Sequence, residues 1–181
     1  MSLLLRALEV HVPKGMERRA LRRLFEVTAD GFGRDPGDLS GLDRRALLDR
    51  YASYTRGCAE RLLADGEIDR VSDRMWNDAY LLGTSLRRRL RVRGREDELR
   101  AARLVYRMIG IDLWADGCGQ VTVARCAFAE RYSPQVCALM SSLDAGLIAG
   151  LTRGGRLTFS ERITQGRPRC LARISWEGAS S

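Results

Sequence analysis

The chain has 181 residues, 45% hydrophobic and 30% charged, which suits one ordinary globular domain and is too short for two well-separated ones. Its 31 basic and 23 acidic residues leave a net charge of +8, compatible with nucleic acid, an anionic membrane or an anionic substrate and selecting none of them. No segment holds the unbroken run of roughly 18 to 20 apolar residues that a membrane span needs. The opening MSLLLRALEV is broken by Arg6 and Glu9 and lacks a basic start, so no cleaved signal peptide is expected and the chain reads as cytoplasmic. In that compartment an odd number of cysteines, here five, reads as free thiols rather than a disulfide framework. Lys14 is the only lysine, an imbalance that points to a GC-rich bacterial genome more than to a need for guanidinium.

From Met16 to Ala29 the spacing of Ala20, Leu24 and Val27 predicts a helix, which GFGRDPGDLSG breaks with four glycines and a proline. Ser40, three residues before Asp43, resembles a capping box, and Leu47, Tyr51, Tyr54, Cys58 and Leu62 recur behind it at helical spacing. Cys58 then reads as a small buried hydrophobe. Val71, Met75, Ala79, Leu82, Leu86 and Leu90 mark a long helix running into RRRLRVRGR, and a further helix spans about Asp97 to Ile109. Cys118 lies between two glycines in a turn and takes no role. The alternation in QVTVARC predicts a short strand ending at Cys126. Ser133 and Pro134 make a good helix start, since serine caps an orphan amide and proline at the first position loses no needed donor. That helix runs to about Leu151. RGG turns the chain, and RLTFSERIT and RPRCLARISW form a hairpin turning through Gln165 to Pro168. The order of helices, then strand, helix, strand, strand gives an α+β fold with a small antiparallel sheet. We expect one domain, with a helical part at 1–79, a ligand-binding part at 80–176 and a frayed tail at 177–181.

The stretch CAFAERYSPQVCALMSSLDAGL concentrates the chemistry. On the helix from Pro134, Cys137, Ser141 and Asp144 form a polar stripe beside the apolar stripe of Val136, Met140, Leu143 and Leu147. Such a stripe could line a pocket or simply tolerate small residues at a helix-sheet contact. Cys137 sits in the first turn, where the helix dipole is expected to lower a thiol pKa. Strict alternation in the hairpin puts Glu161 on the apolar face of Leu157, Phe159 and Ile163, where a carboxylate is costly unless paired with arginine or lining a pocket. Cys126, Cys137 and Cys170 lack the close C-x2-C pair of a structural zinc site, and with only His11 in the chain no metal or cofactor is expected. The same lone histidine makes a Ser-His-Asp or Cys-His pair hard to build.

These features resemble the small-ligand domain shared by the 4-vinyl reductase proteins and the L-2-amino-thiazoline-4-carboxylic acid hydrolase-like proteins. The carrying motifs are AYLLGTSLRRRL, VTVARCAFAERYSPQVC, DAGLIAGL and FSERITQGRPRC, from about Tyr80 to Ile174. Zinc-binding members usually show another cysteine in the strand before the glycine turn; here SERIT stands there, which points to the hydrolase-like branch. The resemblance implies a pocket between helix and sheet for a small, amino-acid-like molecule whose nitrogen-containing ring is opened by water. Arg125 or Arg162 could then hold a substrate carboxylate, with Cys126, Ser141 and Cys170 also lining the site. Asp144 or Glu161 could activate water or protonate a ring nitrogen, and Cys137 could act instead as a nucleophile.

The competing reading is a non-catalytic subunit that binds a small molecule and works with a partner protein or as a homodimer. Trp76 and Tyr80 could supply the dimer or heteromer face, or be core. Nucleic-acid binding by the run Arg87 to Arg95 is disfavoured, because no groove-reading or base-stacking pattern accompanies it and Glu96, Asp97 and Glu98 follow at once.

Overall fold

Apolar residues at helical spacing become five helices before the first strand: α1 (Leu3–Val10), α2 (Lys14–Phe32), α3 (Arg44–Asp65), α4 (Ile68–Arg89) and α5 (Arg95–Met108). The computed structural model, which describes residues 2–66 and 68–176, then gives β1 (Ile111–Ala115), β2 (Gln120–Cys126), α6 (Pro134–Thr152), β3 (Arg156–Glu161), a 3-10 turn (Ile163–Gln165) and β4 (Cys170–Ser175). The fold is α+β. The expected tail at 177–181 lies outside the described residues.

Several local expectations need correction. Two elements, α1 and β1, are additional to those read from the pattern. Asp43, not Ser40, caps α3, its carboxylate accepting from the Ala46 amide at 2.8 Å. Ser40 is held in the preceding loop by Asp38, to which it donates through both amide and hydroxyl. A boundary at residues 79 and 80 falls inside the continuous α4, and one hydrophobic core draws on both sides of it, from Leu5 and Phe25 to Val121 and Ile174. Ser133 does cap α6, accepting from Val136 at 3.2 Å with Pro134 at the first turn.

The four strands form one antiparallel sheet in the order β1-β2-β4-β3. Its inner face carries Leu113, Val121, Val123, Leu157, Ala172 and Ile174, all buried, while Trp114 on the outer face is 55% exposed. By length and composition α6 could cross a membrane, but it is packed inside the protein as a core helix. It lies on α4 with the backbones nearly touching. A Cβ on Gly146 would come within 2.2 Å of the Trp76 carbonyl oxygen, on Gly150 within 2.1 Å of the Tyr80 oxygen, and on Gly83 within 2.3 Å of the Leu147 oxygen. Residue numbers rise together along this contact, so the two helices run parallel and end side by side.

That shared end is tied by a buried ion pair. Arg87 donates to Glu98 at 2.7 Å and to the Leu151 carbonyl at 2.7 Å. The other Glu98 oxygen accepts from the Trp176 indole at 3.0 Å, and the Arg95 guanidinium lies over that indole ring at 4.3 Å. Five helices end at or just before a residue of left-handed backbone. For α2, α3 and α5 it is a glycine, Gly33 (φ 63°), Gly66 (φ 77°) and Gly110 (φ 83°); for α4 and α6 it is an arginine, Arg91 (φ 54°) and Arg153 (φ 58°). That conformation costs a residue bearing a Cβ about 1 kcal/mol.

Three variants check this packing by urea denaturation. Gly146→Ala is expected to cost about 2 to 3 kcal/mol through overpacking, whereas Gly57→Ala in α3, where a Cβ meets nothing within 4 Å, is expected to gain up to about 1 kcal/mol. Glu98→Ala leaves Arg87 buried without its counter-ion and is expected to cost about 3 to 5 kcal/mol.

Candidate functional site

Between α6 and the inner face of the sheet lies a cavity of about 90 Å³ whose walls include Tyr51, Cys126, Tyr132, Cys137, Met140, Asp144, Thr164 and Cys170. A larger groove of about 910 Å³ in the helical half shares Leu24, Leu82, Ile109 and Leu147 with it as a partition. The smaller space is the candidate site, because it gathers the buried titratable groups.

Asp144, on the inner side of α6, is half-buried and lines the cavity. Burial raises its pKa from the ordinary 3.8 to about 6. A 2.8 Å hydrogen bond donated by Tyr106 and the positive charge of Arg162 oppose that shift without cancelling it. Tyr106 is itself buried and held well above the usual tyrosine range, by burial first and by Asp144 second, so it donates its proton and does not ionise. The two phenols in the wall are tied by their own threonines, Tyr51 to Thr28 at 3.1 Å and Tyr132 to Thr55. This leaves Asp144 as the one cavity group that titrates near neutrality.

The structure brings Cys126, Cys137 and Cys170 to the same cavity. All three stay protonated. Burial pushes Cys126 up to about 12, against one amide hydrogen bond from Phe128. Burial also raises Cys137, despite the nearby Thr164 hydroxyl and Arg162. This overturns the expectation of a lowered thiol at the helix start: desolvation exceeds the favourable charges. Cys170 is raised by burial too, with the Ile163 amide donating to its sulfur at 3.4 Å. The geometry therefore opposes Cys137 as an activated nucleophile. No group of three or more potential ligands is placed to hold a metal ion among the described residues.

Arg162 stands at the rim. Its side chain lies over the Phe159 ring at 4.4 Å and donates to Ser141 at 3.1 Å. Ser141 in turn donates to the Cys137 carbonyl at 2.8 Å, so it positions the arginine rather than lining the cavity. No carboxylate pairs with Arg162 among the described residues.

Two of the residues expected here lie elsewhere. Arg125 is exposed on the outer face, 3.8 Å from Asp112, and Glu161 is half-buried outside the cavity lining. In each case a β-bulge is the cause. Pairing shifts between Asp112 and Leu113 against β2, so that Val123 faces inward, Arg125 outward and Cys126 inward again. It shifts again between Phe159 and Glu161 against β4. Glu161 consequently pairs with Leu171 on the outer face, and Arg162 turns toward α6. Sequence reasoning missed Tyr106 and Thr164. The available signal was a tyrosine within the apolar stripe of α5, since a buried phenol needs a polar partner.

Compared with known proteins, the chain matches no family model, no curated protein and no solved structure.

The raised Asp144 carboxyl has a stability consequence. Between about pH 4 and pH 6 the unfolded chain has released a proton that the folded protein keeps, so stability from this group is full below pH 4 and falls as pH rises through 6. The shift corresponds to about 3 kcal/mol at pH 8. Asp144→Asn, which can still accept from Tyr106, is expected to raise Tm at pH 8 and leave it unchanged near pH 4, as followed by circular dichroism. Alkylation of the native protein with iodoacetamide at pH 7 should label the exposed Cys118 and spare Cys126, Cys137 and Cys170 until the chain unfolds.

Proposed function

We propose that this protein is a hydrolase-like enzyme that opens a small nitrogen-containing ring, thiazoline-like and derived from an amino acid, with Asp144 as general base and then acid. The observation that carries the reading is one carboxyl with a pKa of about 6 in an otherwise apolar cavity, a value that lets it exchange protons near neutral pH. Water's oxygen would bond to the amidine carbon while its proton passes to Asp144. That proton then goes to the ring nitrogen or sulfur as its bond to the carbon breaks.

Size limits the substrate. The cavity, at about 90 Å³, is smaller than the roughly 150 Å³ that admits benzene, so only a small ring fits and its substituents have to lie outside. Arg162 at the rim is placed to hold a carboxylate substituent through its guanidinium fork. The resemblance to the hydrolase-like branch points the same way.

A second reading, a non-catalytic binding subunit, draws support from the apolar walls and the three protonated thiols, which leave Asp144 as the only reactive group. Turnover of 2-aminothiazoline-4-carboxylate and related cyclic amidines separates the two. The hydrolase reading expects kcat/KM to rise with pH through an inflection near 6. It further expects Asp144→Asn to lose about 100-fold or more, and Cys137→Ala to stay within a few-fold. Binding without turnover favours the subunit, and neither binding nor turnover overturns both readings.

A further inference from the structure

A third concavity, of about 650 Å³, opens where α4 and α6 end side by side. Its wall carries Arg88, Arg91, Arg93 and Arg153, together with Tyr80 and Thr84. All four arginines are exposed and none forms an ion pair among the described residues. The fifth, Arg87, is already committed to Glu98 and Leu151. Two parallel helix ends do present negative charge here, about half a unit each. Against four guanidiniums that leaves a surplus of roughly +3 at one place.

The backbone adds an independent indication. Arg91 and Arg153 are the only residues other than glycine with positive φ among those described, and both belong to this wall. Where α2 and α3 end away from it, the same left-handed position is glycine. Glycine is also at hand beside Arg153, at Gly154 and Gly155. The chain therefore tolerates an unfavourable conformation twice, and each time it sets a guanidinium in the same concavity.

We propose that this concavity binds a small phosphorylated polyanion of nucleotide size, its phosphates against Arg88, Arg91, Arg93 and Arg153 and its uncharged part toward Tyr80 and Thr84. Arginine forks match phosphate oxygens in pairs. The volume lies within the range of small-molecule sites and exceeds what inorganic phosphate would fill. A nucleic-acid backbone asks for an extended basic stripe, whereas these arginines line a single open concavity.

Titration calorimetry with ADP and with pyrophosphate at about 0.1 M salt tests the site, salt being fixed because phosphate contacts are screened. Both ligands are expected to bind. Arg91→Gly and Arg153→Gly should each weaken ADP by about tenfold or more while Tm stays level or rises, since glycine relieves the left-handed residue. That pairing separates lost contacts from lost folding, and Arg88→Gln should weaken ADP without touching either strained position. Asp144→Asn should leave ADP binding unchanged, so the site stands or falls apart from the hydrolase reading. Absence of ADP and pyrophosphate binding up to about 1 mM would overturn the proposal. So would affinity that survives both glycine variants, or binding of a DNA oligonucleotide or phosphatidylglycerol vesicles in preference to ADP.

Discussion

Everything in the second half of the chain depends on the glycine contact between α4 and α6. Gly83, Gly146 and Gly150 remove the side chains that would hold the helices at an ordinary 8 to 10 Å spacing, and backbone meets backbone instead. This fixes α6 in rotation as well as position. With Gly146 and Gly150 turned to α4, Val136, Leu143 and Leu147 are buried and Asp144 reaches Tyr106 on α5. The same contact forces two helix dipoles to lie parallel, an unfavourable arrangement at their common end. Arg87, donating to the Leu151 carbonyl of the neighbouring helix, offsets part of it.

Within the cavity, desolvation dominates the electrostatics. Cys137 has three favourable influences, the helix start, a hydroxyl and an arginine, yet its thiol is raised. Asp144 has a tyrosine hydrogen bond and the same arginine, yet is still pushed up to about 6. The two outcomes differ because the groups start from different places. A carboxyl raised from 3.8 arrives near neutrality, while a thiol raised from 9.0 leaves the physiological range. Burial that makes a carboxyl useful makes a neighbouring thiol inert. The cavity cysteines are then best understood as small, polarizable packing residues around the one group that can exchange a proton.

Much of this was legible in the sequence. Helical spacing located α2 to α6, Ser133 and Pro134 marked the start of α6, and the hairpin was evident from alternation around a glycine turn. Whether Cys126, Cys137 and Cys170 sit close together was not legible there; the structure brings them to one cavity with Asp144. What period-two alternation could not supply was the pair of bulges. A single extra residue reverses every side chain beyond it, so strict alternation put Glu161 on the apolar face when it lies on the outer one, and Arg125, expected in the site beside Cys126 and Arg162, faces outward. Tyr106 escaped for a different reason. Its meaning comes from a partner 38 residues away on another helix, and spacing along one element carries no information about that. β1 is five residues long with Trp114 facing solvent, too short a run for alternation to stand out beside the helix that precedes it.

The excess of arginine, ambiguous as a bulk charge of +8, acquires meaning only when its residues are separated by environment. Arg87 is buried, paired and structural. Arg95 lies over Trp176, Arg162 over Phe159, and Arg100 joins Glu9 and Glu96, so each of these has packing or charge to hold it. Helix-end electrostatics account for one or two of the remainder around the end of α4 and α6, because the dipoles there sum to about one negative charge. They do not account for four, nor for two of them occupying left-handed positions that glycine fills elsewhere in the chain. A surplus that costs both backbone strain and mutual repulsion is stable only while the rest of the fold is strong enough to hold it. Here that strength comes from the glycine contact and the Arg87–Glu98 pair directly beneath.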